Sequence, residues 1–136
     1  MKYEYSTSEQ VNTDGRPTKR PIVEVTIERG RQRRTFLALI DSGADQIIMP
    51  SAIAEVSGID RANCPERSVI GVSMEPIQGF VADLWLRIEH QREYFRAPVV
   101  FVDADVPVLL GRECFFDYYR VKFDQARGIF ELTDLR

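Results

Sequence analysis

Asp41-Ser42-Gly43-Ala44 follows an unbroken apolar run, Phe36-Leu37-Ala38-Leu39-Ile40, and joins a carboxylate, a hydroxyl and a glycine at one turn. A strand without polar members is expected to be covered on both faces, so Asp41 leaves it at a low-dielectric wall, a setting suited to acid–base work by a carboxylate. Gly43 permits a sharp turn and close approach of another main chain, and the Ser42 hydroxyl can donate to a carbonyl or carboxylate. Asp, Ser and Gly also favour turns for local reasons, so the tripeptide alone is ordinary turn chemistry. The four-residue form Asp-(Ser or Thr)-Gly-Ala is rarer, on the order of one chance match in a few hundred chains of this length from average residue usage. Other reactive groups are sparse. His90 is the only histidine, leaving little material for a zinc site or a Ser/His/Asp triad, and Cys64 and Cys114 have no metal-ligand spacing. No metal and no cofactor is expected.

An acid, Ser, Gly and Ala at the end of an apolar strand resemble the aspartic protease signature, and the short chain points to the retropepsin-like family, the single-domain proteases of retroviruses and their cellular relatives. Val106-Pro107-Val108-Leu109-Leu110-Gly111-Arg112 resembles that family's second fixed element, apolar residues and a glycine leading into a short helix. Taken alone it is a buried strand ending at a glycine. Both motifs occur in the family's order and at about its spacing, and the resemblance covers residues 22 to 132. It implies a mostly β, barrel-like single domain with one or two short helices, forming a symmetric homodimer.

Peptide hydrolysis by carboxylates takes two of them around one water, one acting as base and the other as acid. The 136 residues contain one such motif, and a two-fold dimer brings the same residue of each subunit to its axis. The resemblance thus implies Asp41 from both chains as the catalytic pair, with Ser42 bonding across the axis and Gly43 and Ala44 leaving room for the substrate main chain. Asp45 matches a position that helps bind substrate backbone, and Arg112 one that pairs with that aspartate, while Leu109 and Leu110, followed by Gly111, pack behind the loop. Residues 68–79 match the flap, a hairpin closing over an extended peptide or protein substrate. Val69, Ile70, Gly71, Val72, Met74 and Ile77 are its candidate substrate contacts. Met74 is equally suited to filling core. The tip Ser73-Met74-Glu75-Pro76 lacks the glycine the family often has there.

The elements that must position these residues follow from periodicity. Val23, Val25 and Ile27 alternate with Glu24, Thr26 and Glu28, a half-buried strand that hairpins through Arg29-Gly30-Arg31 into Thr35–Ile40. Residues 49–58 read as a short helix with proline in its first turn and glycine past its end, burying Ile53 and Val56. Phe80–Ile88 alternates again, with Trp85 on the otherwise polar side, where packing against a neighbouring loop is preferred over a partner-binding role. Tyr94–Val102 forms a further strand. Arg112–Asp117 is a terminal helix burying Cys114 and Phe115 or Phe116, and Tyr119–Phe123 and Ile129–Leu132 form a last strand pair. In retroviral proteases the chain ends interleave between subunits, and Ile129–Leu132 is the strand suited to that here.

One domain is expected at residues 22–136, approached by a polar segment, 1–21, with freedom to move; Lys2-Tyr3-Glu4-Tyr5 alternates weakly as an edge strand. Eighteen basic and 21 acidic residues give a net charge of -3, which indicates neither a nucleic-acid nor an anionic-membrane surface, and Arg29–Arg34 reads as a solvated turn. No apolar stretch is long enough to span a bilayer, no signal core is evident, and the cysteines fit reduced thiols, so a cytoplasmic location is expected. Two other readings stand beside the protease. One is a retropepsin fold with weak or no turnover, serving dimerisation or peptide binding; the other is an unrelated β-barrel binding protein in which Asp41 only caps a turn.

Overall fold

The computed structural model describes residues 1–71 and 73–136; Val72, one of the candidate substrate contacts, lies outside the described residues. Among the described residues the strands are β1 Lys2–Glu4, β2 Ser6–Val11, β3 Pro17–Arg20, β4 Ile22–Arg29, β5 Gln32–Ile40, β6 Ile47–Pro50, β7 Glu66–Ile70, β8 Pro76–Ile88, β9 Phe95–Val102, β10 Val108–Leu110, β11 Tyr119–Asp124 and β12 Ile129–Asp134. Seven of them form one sheet in the order β4-β5-β10-β6-β9-β8-β7, and a further β4–β8 pairing closes it into a barrel. β8 makes that closure possible by its length, pairing with β7 and β9 and then, through Trp85 to Ile88, with β4. The alternation predicted for β4 is observed: Val23, Val25 and Ile27 are buried and belong to one core cluster with Phe80, Leu86, Ile88, Met49, Phe101 and Leu110.

β5 differs from the expectation of burial on both faces. Ala38, Leu39 and Ile40 are buried, but Leu37 is 66% exposed, because at Leu37 the strand is still a barrel wall with its outer side in solvent. Trp85 is likewise half-exposed on the outer face, opposite Glu28 and Arg96, and is not packed away under a loop. The helix α1, Ser51–Val56, is shorter than predicted. Pro50 is extended and ends β6, while Gly58 takes a positive φ of 71° beyond the helix. Ile53 is buried as predicted; its inward partner is Ala54, and Val56 faces solvent. At a later helical segment, Arg112–Phe116, Cys114 has φ 68° and breaks the regular winding. Phe115 is fully buried there, and Cys114 and Phe116 are half-buried.

Residues 2–20 carry three strands. β2 and β3 form a hairpin, and β1 pairs with β12 in a three-stranded sheet of order β1-β12-β11. Tyr3 drives that pairing: it is buried, stacks on Phe130 at 5.0 Å and donates its hydroxyl to the Glu89 carbonyl at 2.8 Å. Both edges of β12 are thereby occupied within its own chain. Among the described residues no helix is long and apolar enough to cross a membrane.

Candidate active site

The two motifs meet because β5 and β10 are parallel neighbours in exact step, Ala38 with Val108, Leu39 with Leu109 and Ile40 with Leu110. Both strands end at the same level, so Asp41 and Gly111 leave the sheet side by side. The ladder continues one step beyond the strand, with Asp41 N donating to Leu110 O at 3.1 Å. The turn then closes on itself: Ala44 N donates to Asp41 O at 3.2 Å, and Gly43 N donates to the Asp41 carboxylate, Oδ1, at 2.9 Å. The side chain is held by a charge-assisted bond at one oxygen. Asp41 and Ala44 are half-buried, and Ser42, Gly43 and Asp45 are exposed.

The far side of the loop rests on the start of the helical segment. Arg112 N donates to Ala44 O at 2.9 Å and Glu113 N to Asp45 O at 2.8 Å. The Arg112 side chain also donates to the Asp45 carboxylate, Nη2 to Oδ1. Both side chains are more than 60% exposed, so this pair orients the loop and adds at most about 1 kcal/mol. Gly111 explains the closeness of the two segments. A Cβ there would lie 2.1 Å from Gln46 O and 2.7 Å from Ala44 O, backbone atoms that cannot swing aside. Leu110 behind the loop is fully buried. Leu109, the residue before it, is half-buried and pairs with Ile48.

Val69, Ile70, Gly71, Met74 and Ile77 lie together on the β7–β8 hairpin, with Val69 opposite Ile77 and Ile70 opposite Pro76. Met74 N donates to Gly71 O at 3.0 Å in a tight tip where Met74 has φ 63°. Met74 is 75% exposed and Ile70 63%, so Met74 does not fill core. Among the described residues no hydrogen bond joins this hairpin to Asp41–Asp45. Two clefts lie away from the loop. One of about 600 Å³ lies between Arg29–Gln32 and Ser57–Gly58, and one of about 400 Å³ lies between the β2–β3 hairpin and residues 125–128.

Two supports escaped the sequence reading. Gly79 lets β8 sit between β7 and β9, since a Cβ there would come within 2.2 Å of Phe101 O. Arg61 forks onto Asp103 through Nη1 and Nη2 at 2.7 and 2.6 Å and lies over the Phe80 ring at 4.7 Å, tying the loop after α1 to the end of β9. The Arg61 guanidinium holds the Asp103 carboxyl below its ordinary range. No local signal marks either one: the contacts link residues 22 and 42 positions apart. The proximity of two motifs was the one long-range relation that could be read.

No protein-family model matches the chain, and no curated protein matches it. Solved structures do. A retropepsin-like aspartic protease from Rickettsia conorii is similar with a TM-score of 0.60 at 15% identity, over 96% of this chain and 97% of that one. EIAV protease, solved with an inhibitor, is similar with a TM-score of 0.58 at 20% identity, over 73% of this chain and 88% of that one. A closed barrel of this strand order, with two parallel strands delivering an Asp-Ser-Gly turn and a glycine to one place, is the retropepsin-like aspartic protease fold.

Proposed function

We propose that the chain is an aspartic endopeptidase in which Asp41 of two copies activates one water for attack on a peptide bond. The observation that carries this reading is the placement of Asp41. Its backbone is bonded to Leu110 at the end of two parallel strands, and its half-exposed carboxylate is steadied at Oδ1 by Gly43 N–H. Oδ2 is then left to face a water and a second carboxylate. With one carboxylate charged and the other protonated, the first takes a proton from the water and the second gives one to the carbonyl oxygen. Ser42 bonds across the axis, and Asp45, oriented by Arg112, meets the substrate backbone. An extended peptide lies between this floor and the β7–β8 hairpin, adding main-chain bonds as a strand would, with Val69, Ile70, Gly71, Val72, Met74 and Ile77 contacting its side chains.

Asp41→Asn tests the reading. The amide keeps shape and the Gly43 contact but can serve as neither acid nor base, so peptidase activity should fall by at least about 10²–10⁴-fold with the melting temperature unchanged. Activity retained in the variant would refute the assignment of Asp41. A wild-type protein that binds extended peptides without cleaving them would instead be a binding module.

A further inference from the structure

The inward face of the β4–β5 hairpin does not stay apolar along its whole length. After Val23, Val25 and Ile27 the next inward position on β4 is Arg29, whose register partner on β5 is Gln32, and Ile27 itself is paired with Arg34. Arg29, Gln32 and Arg34 are all exposed. They stand at the start of β5, and Asp41 follows its end, roughly 25 Å away at about 3.3 Å per residue. The turn after α1 flanks this end of the barrel: Arg29 Nη1 donates to Ser57 O at 3.3 Å and also to Gly58 O. Between hairpin and turn lies the cleft of about 600 Å³. Ser57 borders it and is 5% exposed, yet its hydroxyl has no hydrogen-bond partner among the described residues. Buried donors without partners are rare in native proteins. A smaller gap among Ile27, Arg29, Gln32, Arg34 and Ser57 adjoins the cleft, and it holds no water-sized space until an exposed wall, Gln32 or Arg34, swings outward.

Charge decides what such a cleft can take. Arg29, Arg31 and Arg34 form no ion pair among the described residues, and no acid borders the cleft. Arg33 on the outer face is matched by its register partner Glu28 at 3.5 Å, so the hairpin is neutralised outside and cationic inside. Arg29 uses only Nη1 on the two carbonyls, which leaves Nε and Nη2 as open donors. We propose that this end of the barrel binds a small polyphosphate anion, its oxygens held by the three guanidiniums and the Ser57 hydroxyl, so that the anion bridges the β4–β5 hairpin and the turn after α1. Planar guanidinium forks match phosphate oxygens in geometry as well as charge. Three forks spread around a cleft of small-molecule size exceed the reach of one phosphate group, and a chain of two or three fits. A nucleic-acid strand would need a longer basic track, and over the rest of the chain acids outnumber bases.

Calorimetric titration of the full chain with inorganic triphosphate at constant ionic strength tests this. We expect saturable binding at one site per chain, tighter for triphosphate than for pyrophosphate or orthophosphate, and a melting temperature that rises with triphosphate concentration. Arg31→Gln and Arg34→Gln, both at exposed positions, should each weaken binding about tenfold or more through a lost charge-assisted contact. Arg33→Gln takes an equal charge from the outer face of the same hairpin and should leave the affinity nearly unchanged. Ser57→Ala should weaken binding without lowering the melting temperature of the free protein, because the hydroxyl it removes has no partner there. Absence of saturable binding would overturn the proposal outright. Equal losses from Arg33→Gln and Arg34→Gln, or an oligonucleotide that binds more tightly than triphosphate, would overturn it by showing a diffuse attraction for any polyanion.

Discussion

A methyl group on Gly111 would meet the Gln46 and Ala44 carbonyls inside 3 Å, and this crowding ties the second motif to the first at the scale of single residues. Gly111→Ala must push the Asp41–Asp45 loop away from the helical segment. We expect a loss of about 1–3 kcal/mol in denaturant unfolding and a larger proportional loss of peptidase activity. Gly71→Ala, where nothing lies within 4 Å, is the control and should change stability little. Equal stability of the two variants would mean that the contact at Gly111 relaxes freely. The importance of Gly111 was legible from its motif, because type and spacing are local facts. Its cause was not, since the carbonyls it admits belong to residues more than 60 positions earlier.

Elements repeat that division between what is local and what is not. The strands β4 and β8 were readable because each has one face in the core, so that burial writes a period of two into the chain, and β5 was readable from its apolar run. Leu37 and Val56 misled for the same reason: an apolar run predicts burial, yet neither barrel wall nor helix offers a second covered face at those positions. The Arg61–Asp103 fork, which pins the loop after α1 to β9, had no sequence signal at all. Its pH dependence follows from sign. Asp103 is held below its ordinary range in the folded state, so the fork's stabilising contribution is complete above the unfolded carboxylate value near 3.9 and is lost as pH falls through the lower folded value. The melting-temperature gap between wild type and Asp103→Asn should therefore be present at pH 7 and shrink in that acidic window. A gap of the same size at pH 7 and pH 2 would show that Asp103 contributes through something other than its charge.

For the whole molecule, the sequence set residues 1–21 apart from the domain because they are polar, and composition has no means of registering where a single aromatic ends up. Tyr3 belongs to the core cluster, stacked on Phe130, donating to Glu89 O and accepting from Gln91 Nε2 at 2.9 Å. It fastens the terminal sheet to the turn after β8, which in turn is part of the barrel's closing strand. Burial and its bond to Gln91 act on Tyr3 in opposite directions, and burial dominates, raising the phenol above its ordinary value so that it stays a neutral donor. Removing residues 1–21 would uncover the Phe130 and Leu132 face and free the inner edge of β12, creating the unpaired strand that the native sheet avoids. Truncation should thus lower the melting temperature markedly and promote aggregation. Tyr3→Ala in the full chain should account for much of that loss, about 3–5 kcal/mol as for other buried aromatics, and Tyr3→Phe for about 1–3 kcal/mol through the unsatisfied Gln91 and Glu89 groups. Thermal melts of the three proteins decide the point: a truncated chain as stable as the full one would mean that the barrel stands without its first strand.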